Sequence, residues 1–115
     1  TAATRAGLGW VGKNCQLVTR EWGPWIRLAT VLTTAPIPPA IPIEKSLCGK
    51  CHACVDICPA QALKGGTWYP GVEREEILDA WACDTYKKTH FLQFHGGHNC
   101  GICTRVCPRG LKTVS

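Results

Sequence analysis

The chain has 115 residues, 45% hydrophobic and 18% charged, and thirteen Lys and Arg against eight Asp and Glu give a formal charge of +5. That length holds one small domain and not two ordinary ones, and its moderate charge and normal apolar content exclude a disordered tail. No apolar run approaches the roughly 18 residues of a membrane span, while twelve Gly, eight Pro and nine Cys leave little sequence for long regular elements.

The chain opens at Thr1 and contains no Met, so it is expected to be part of a longer polypeptide. Thr1 to Asn14 lacks the basic and apolar regions of a secretory signal. Ala2 to Ala6 reads as the end of a helix. Gly7-Leu8-Gly9-Trp10-Val11-Gly12 satisfies G-x-G-x-x-G, but no strand precedes it and no acidic residue lies about 20 positions beyond it, so the dinucleotide-binding context fails. Two readings of these glycines remain: a backbone passing close to a large ligand, or a helix stop followed by a tight turn. Trp25 to Leu32, partly alternating and rich in β-branched residues, predicts a strand. Thr33 to Ile43 holds Pro36, Pro38, Pro39 and Pro42 and must be extended. It is read as a connector, dividing the chain into segments 1–43 and 44–115.

Beyond the connector, Ala60 to Leu63 predicts a short helix closed by Gly65-Gly66, and Trp68 to Gly71 a turn. Glu73 to Thr89 predicts the longest helix, with acidic residues at its start and Lys87 and Lys88 at its end. Ile77, Leu78 and Trp81 would share one face, and Cys83 would ride on the helix. Gly96-Gly97 breaks the chain before the last cysteines. One internal echo stands out: Cys51, Cys54, Cys58 and Pro59 repeat in spacing as Cys100, Cys103, Cys107 and Pro108.

Eight of the nine cysteines fall into two groups, Cys48, Cys51, Cys54 and Cys58, then Cys83, Cys100, Cys103 and Cys107; Cys15 lies apart. Thiols crowded at two-residue gaps seldom offer the separations that disulfides need. The first group has the spacing C-x2-C-x2-C-x3-C-P. Three thiolates on one tight loop can reach three irons of a [4Fe-4S] cubane, and the fourth, carried onward by a helical turn, serves the other cluster. Counting four donors per cubane puts Cys48, Cys51, Cys54 and Cys107 on a first cluster and Cys58, Cys83, Cys100 and Cys103 on a second. Each crossing ligand holds the clusters close, as an electron relay requires. Tetrahedral zinc, with His52, His95 or His98 joining the thiols, is the alternative; it does not normally use three thiols at consecutive two-residue gaps. His95 and His98 read as loop residues beside a cluster, and Cys15 as a small buried apolar residue. Each oxidised cubane adds about −2, so Lys50, Lys64, Arg105 and Arg109 read as local compensation. No basic and aromatic stripe marks a nucleic-acid footprint.

Three stretches together carry a resemblance: Arg5 to Asn14 (RAGLGWVGKN), Gly23 to Pro36 (GPWIRLATVLTTAP), and the two cysteine groups with Pro70 to Glu76 and Ala82-Cys83 between them. Over nearly its whole length the chain resembles the C-terminal double-cluster region of epoxyqueuosine reductase-like and reductive dehalogenase-like proteins. The position of Cys15 and the long Cys83 to Cys100 interval look more like the dehalogenase-type relatives. The resemblance implies an α+β fold: a bacterial ferredoxin-like two-cluster module behind an N-terminal fragment of a cobalamin-binding α/β domain. It implies two [4Fe-4S] clusters that take electrons from a ferredoxin or flavodoxin. A cobalamin would accept them and reduce a modified tRNA nucleoside or an organohalide. Gly9, Trp10, Lys13 and Asn14 would be the corrinoid's neighbours. The rest of the cobalamin-binding portion, with its proton donor, lies outside this chain, which is therefore not expected to catalyse alone. A reducing, cytoplasmic home follows, since thiolate ligands must stay reduced.

Overall fold

The structure is a computed structural model that describes residues 2–111. Helix α1 (Ala2–Arg5) is a single turn stopped at Gly7. The Leu8 amide donates to the Ala3 carbonyl at 3.1 Å and the Gly7 amide to the Thr4 carbonyl at 3.2 Å. With Gly7 at φ +69, this is the left-handed helix stop that a residue without Cβ adopts freely.

Strands β1 (Trp10–Val11) and β2 (Leu17–Val18) then pair antiparallel, Trp10 opposite Val18 and Val11 opposite Leu17. The hairpin has no βαβ crossover, so the dinucleotide reading fails in structure as in sequence. A Cβ on Gly9 would strike the Val18 carbonyl, and one on Gly12 would lie 2.7 Å from Asn14 Oδ1. The glycines let the chain close on its own hairpin. The helix stop and the tight turn both form here, and Gly9 and Gly12 pack against β2 and Asn14.

Trp25 to Leu32 is irregular and largely exposed, against the strand expected there. β-branched residues suit a pleated surface, but a ladder needs a partner edge, and the described residues offer one sheet of two-residue strands. The proline-rich run carries no regular element and bends at Ala35, whose carbonyl accepts from the Ile37 amide at 2.8 Å. It is exposed until Ile43, whose amide donates to the Thr4 carbonyl at 2.9 Å.

Helix α2 (Ala53–Asp56) follows the first cysteines. The helix expected at Ala60 to Leu63 is absent. Gln61 takes φ +48, and the next residues run extended, because the Asp79 amide donates to the Ala62 carbonyl and the Lys64 amide to the Ile77 carbonyl, both at 2.8 Å. The same pairing divides the expected long helix into α3 (Arg74–Ile77) and α4 (Ala80–His90). Leu78 is extended and bridges Leu63. Asp79 restarts the helix, its side chain accepting from the Ala82 amide at 2.9 Å, a strong N-cap. Ile77 is consequently buried while Trp81 is 81% exposed, so the shared apolar face does not form. The turn before α3 does: the Val72 amide donates to the Tyr69 carbonyl at 3.1 Å, with Pro70 at the second position and Gly71 at φ +93, the residues a type II turn prefers. A 3-10 turn at His95–Gly97 leads to α5 (Ile102–Arg105) and α6 (Pro108–Leu111). Trp10, Val18, Trp68 and Ile77 form the core, and Cys15, Leu47 and Cys48 pack against it.

Candidate metal centres

The internal echo is structural. A shift of 49 positions carries α2 onto α5, and the two helices touch. Each closes with the same pair of bonds. Ile57 N–H donates to the Ala53 carbonyl at 3.3 Å and Val106 N–H to that of Ile102 at 3.1 Å; Cys58 and Cys107 N–H reach Val55 and Thr104 carbonyls, both at 3.3 Å. In each half the C-x2-C-x3-C-P spacing therefore puts the middle cysteine (Cys54, Cys103) on a one-turn helix and the last (Cys58, Cys107) just past its end.

The last cysteine of the first group departs from its fellows. Cys58, Cys83, Cys100 and Cys103 line one cavity of about 820 Å³, together with Leu63, Leu78, Tyr86 and His98. Burial raises the Cys103 thiol, which the Thr104 hydrogen bond lowers and Cys100, Cys58 and Cys83 raise further. Cys83 is raised by burial, lowered by Lys87, and raised by Cys58 and Cys100. Cys54 is pushed up to about 11, by burial first and then by Cys48, Cys103 and Cys107. Cys103 and Cys107 thus both neighbour Cys54, as Cys58 neighbours Cys83 and Cys103. Cys51 stands exposed on the same loop, its amide bonded to the Cys48 carbonyl at 3.1 Å.

A donor set rich in sulfur, Cys58, Cys83, Cys100 and Cys103 with Cys15 beside them, around a cavity wide enough for more than one atom, fits a polynuclear iron–sulfur group. Among the described residues, no three His, Cys, Asp or Glu side chains converge on a point that would hold a single ion.

Several contacts around these sulfurs have no signature in the spacing. Lys13 is 3% exposed, and its Nζ donates to the Gly49 carbonyl at 3.0 Å and lies 3.1 Å from His52 Nε2. This places a cation against the first cysteine loop. Arg109 lies over the Trp10 ring, 5.5 Å from its centroid, and donates to the Leu47 carbonyl at 3.3 Å. It thereby ties the chain after Cys107 to the chain before Cys48. Trp10 is fully buried, and Gly9 is packed on β2. Asn14 faces the cavity of the second group. Cys15, at φ +57, also lines it, half-buried, its thiol raised by burial, lowered by Arg74 and raised by Glu75. Of the expected charge partners, Lys50, Lys64 and Arg105 are exposed. Arg105 borders a smaller cavity of about 490 Å³ with Ile57, Cys100, Ile102 and Val106. Leu63 is buried and Ile57 is 49% exposed.

Matched one-turn helices that pass their last cysteines toward each other define a module for two sulfur-ligated clusters. Residues 47–110 match the family described as the 4Fe-4S double cluster binding domain, and the chain belongs to that family. It is 36% identical to epoxyqueuosine reductase of Bacillus anthracis over 91% of this chain and 27% of that protein. It is 35% identical to the enzyme of the same name from Listeria monocytogenes, over 92% of this chain and 28% of that protein. A crystal structure of epoxyqueuosine reductase with an epoxyqueuosine-modified tRNA-Tyr stem loop superposes with TM-score 0.67 at 30% identity, covering 95% of this chain and 29% of that one. The chain thus spans between a quarter and a third of the length of these relatives. Membership in the family implies [4Fe-4S] clusters and electron transfer. Among the described residues no helix is long and apolar enough to cross a membrane.

Proposed function

We propose that the chain is the electron-relay part of a cobalamin-dependent reductase of the epoxyqueuosine reductase or reductive dehalogenase type. In this reading residues 44–115 form a ferredoxin-like module and residues 1–43 the end of a cobalamin-domain-like segment. Cys48, Cys51, Cys54 and Cys107 would hold the first cluster, and Cys58, Cys83, Cys100 and Cys103 the second. The clusters, when bound, supply one-electron transfer at low potential. The protein's part is to ligate, to offset charge and to limit water. Lys13 brings a buried cation to the first loop. The observation that carries the reading is that Cys58 lines the cavity of Cys83, Cys100 and Cys103 while Cys107 lies near enough to act on Cys54; ligands crossing in this way would fix a short separation, on which electron hopping depends.

A ferredoxin or flavodoxin would donate, and a corrinoid would accept. Trp10, Lys13 and Asn14 are buried toward the cysteine loops, so the corrinoid would meet this segment mainly through its backbone. Epoxyqueuosine in tRNA is the substrate that the relatives' names suggest for the longer protein, and the cytoplasm is the reducing compartment where such thiolates persist. Anaerobic purification followed by iron, sulfide and zinc analysis tests the relay. About eight irons and as many sulfides per chain are expected, with a reduced-state electron paramagnetic resonance signal from two interacting centres; stoichiometric zinc in their place would overturn it. Corrinoid binding by the longer protein, weakened by substitutions in Gly9 to Asn14, tests the acceptor.

A further inference from the structure

We propose that Asn14 and Gln16 are hydrogen-bond donors to the sulfurs of the second cluster and raise its reduction potential from outside the cysteine motifs. The inference rests on the cluster assignment above. Both residues belong to the hairpin loop between β1 and β2. That loop is held by the Gly12 amide donating to the Gln16 carbonyl at 2.8 Å and the Cys15 amide to the Gly12 carbonyl at 2.9 Å.

Asn14 is only 5% exposed and lines the large cavity. Its Oδ1 accepts from the Gln16 amide at 3.2 Å, and its Nδ2 is buried without a hydrogen-bond partner. A buried amide donor left unpaired is destabilising. Nδ2 is satisfied once an acceptor occupies the cavity that Cys58, Cys83, Cys100 and Cys103 surround. Gly12 makes the arrangement possible, since its Cβ would lie 2.7 Å from Oδ1. Gln16 is oriented as firmly. Its Oε1 accepts from the Thr104 hydroxyl at 2.8 Å, so its Nε2 is the atom that approaches Cys103 Sγ, at 3.9 Å. One amide N–H thus reaches a sulfur of this set and a second, unpartnered, belongs to a residue of the same cavity wall; both come from the N-terminal segment. A donor aimed at a cluster sulfur favours the reduced, more negative state, and hydrogen bonds to sulfur are one of the terms that set cluster potentials.

The test is a redox titration of the anaerobically purified, cluster-loaded full chain, followed by electron paramagnetic resonance, with the second cluster identified as the signal lost in Cys83→Ser. Gln16→Leu and Asn14→Leu are each expected to lower the reduced-to-oxidised ratio of that cluster about tenfold at a fixed potential. That is roughly 59 mV for a one-electron couple, with the first cluster unmoved. Gln16→Glu, which replaces the donor by a carboxylate oxygen, is expected to lower it further. If Asn14→Leu fails to assemble, the exposed Gln16 decides through its two variants. Unchanged potentials, or a shift confined to the first cluster, would overturn the proposal. A wild-type chain without about eight irons would instead overturn the cluster reading beneath it.

Discussion

Cys58 and Cys107 each stand just past a one-turn helix, Cys58 in the cavity of Cys83, Cys100 and Cys103 and Cys107 near Cys54, where the proposed assignment makes them the crossing ligands. Cys58→Ser is expected to remove the second cluster's signal and leave the first; Cys107→Ser should do the reverse, each with a loss of about four irons measurable by elemental analysis. Two glycines separate backbone strain from packing. Gly23 takes φ +57, and a Cβ there would stand 2.7 Å from the Arg109 carbonyl carbon, whereas Gly71 takes φ +93 with open space around it. Gly71→Ala should cost about 1 kcal/mol of strain. Gly23→Ala should cost roughly 2–3 kcal/mol and lower the melting temperature of the loaded chain clearly more. The cysteine pattern was legible because ligand spacing on a tight loop is a local property. Lys13, Arg109 and Asn14 were not legible in these roles. Their partners, Gly49, Leu47 and the cavity wall, lie tens of residues away, and nothing local in sequence announces such a contact.

At the scale of elements, the sequence was read correctly where a stop or start is chemically marked and misread where a distant strand decides. Gly7 ends α1 and Pro70-Gly71 makes a turn by their own torsional preferences. The break between α3 and α4 depends on the 62–64 segment pairing with 77–79, a nonlocal event that overrides helical periodicity. Asp79 was the missed signal: an aspartate three residues before the Ala82 amide it caps. Asp79→Ala is expected to destabilise the chain by about 1 kcal/mol, seen as a lower melting temperature of the loaded protein with unchanged iron content. The same rule explains the irregular Trp25 to Leu32 stretch. Its composition favours a strand, but no matching edge exists among the described residues.

Over the whole molecule, the radius of gyration is 15.1 Å, against roughly 13 Å for a compact chain of this length. Val31, Leu32, Ile37 and Ile41, in and just before the proline-rich run, are exposed. Apolar surface of this kind promotes association, so the double variant Leu32→Lys, Ile41→Lys should raise the monomer fraction in size-exclusion chromatography without loss of iron. The core sits elsewhere, joining Trp10 and Val18 from before the prolines to Trp68 and Ile77 beyond them. The exposed bend at Pro70-Gly71 divides the eight ligand candidates evenly, and in the proposed assignment each side keeps three donors for its own centre and one for its neighbour's. A chain nicked at that bend would become a two-piece lock in which neither piece can complete a cube by itself. Co-expressed pieces should turn brown together, and each alone should stay colourless.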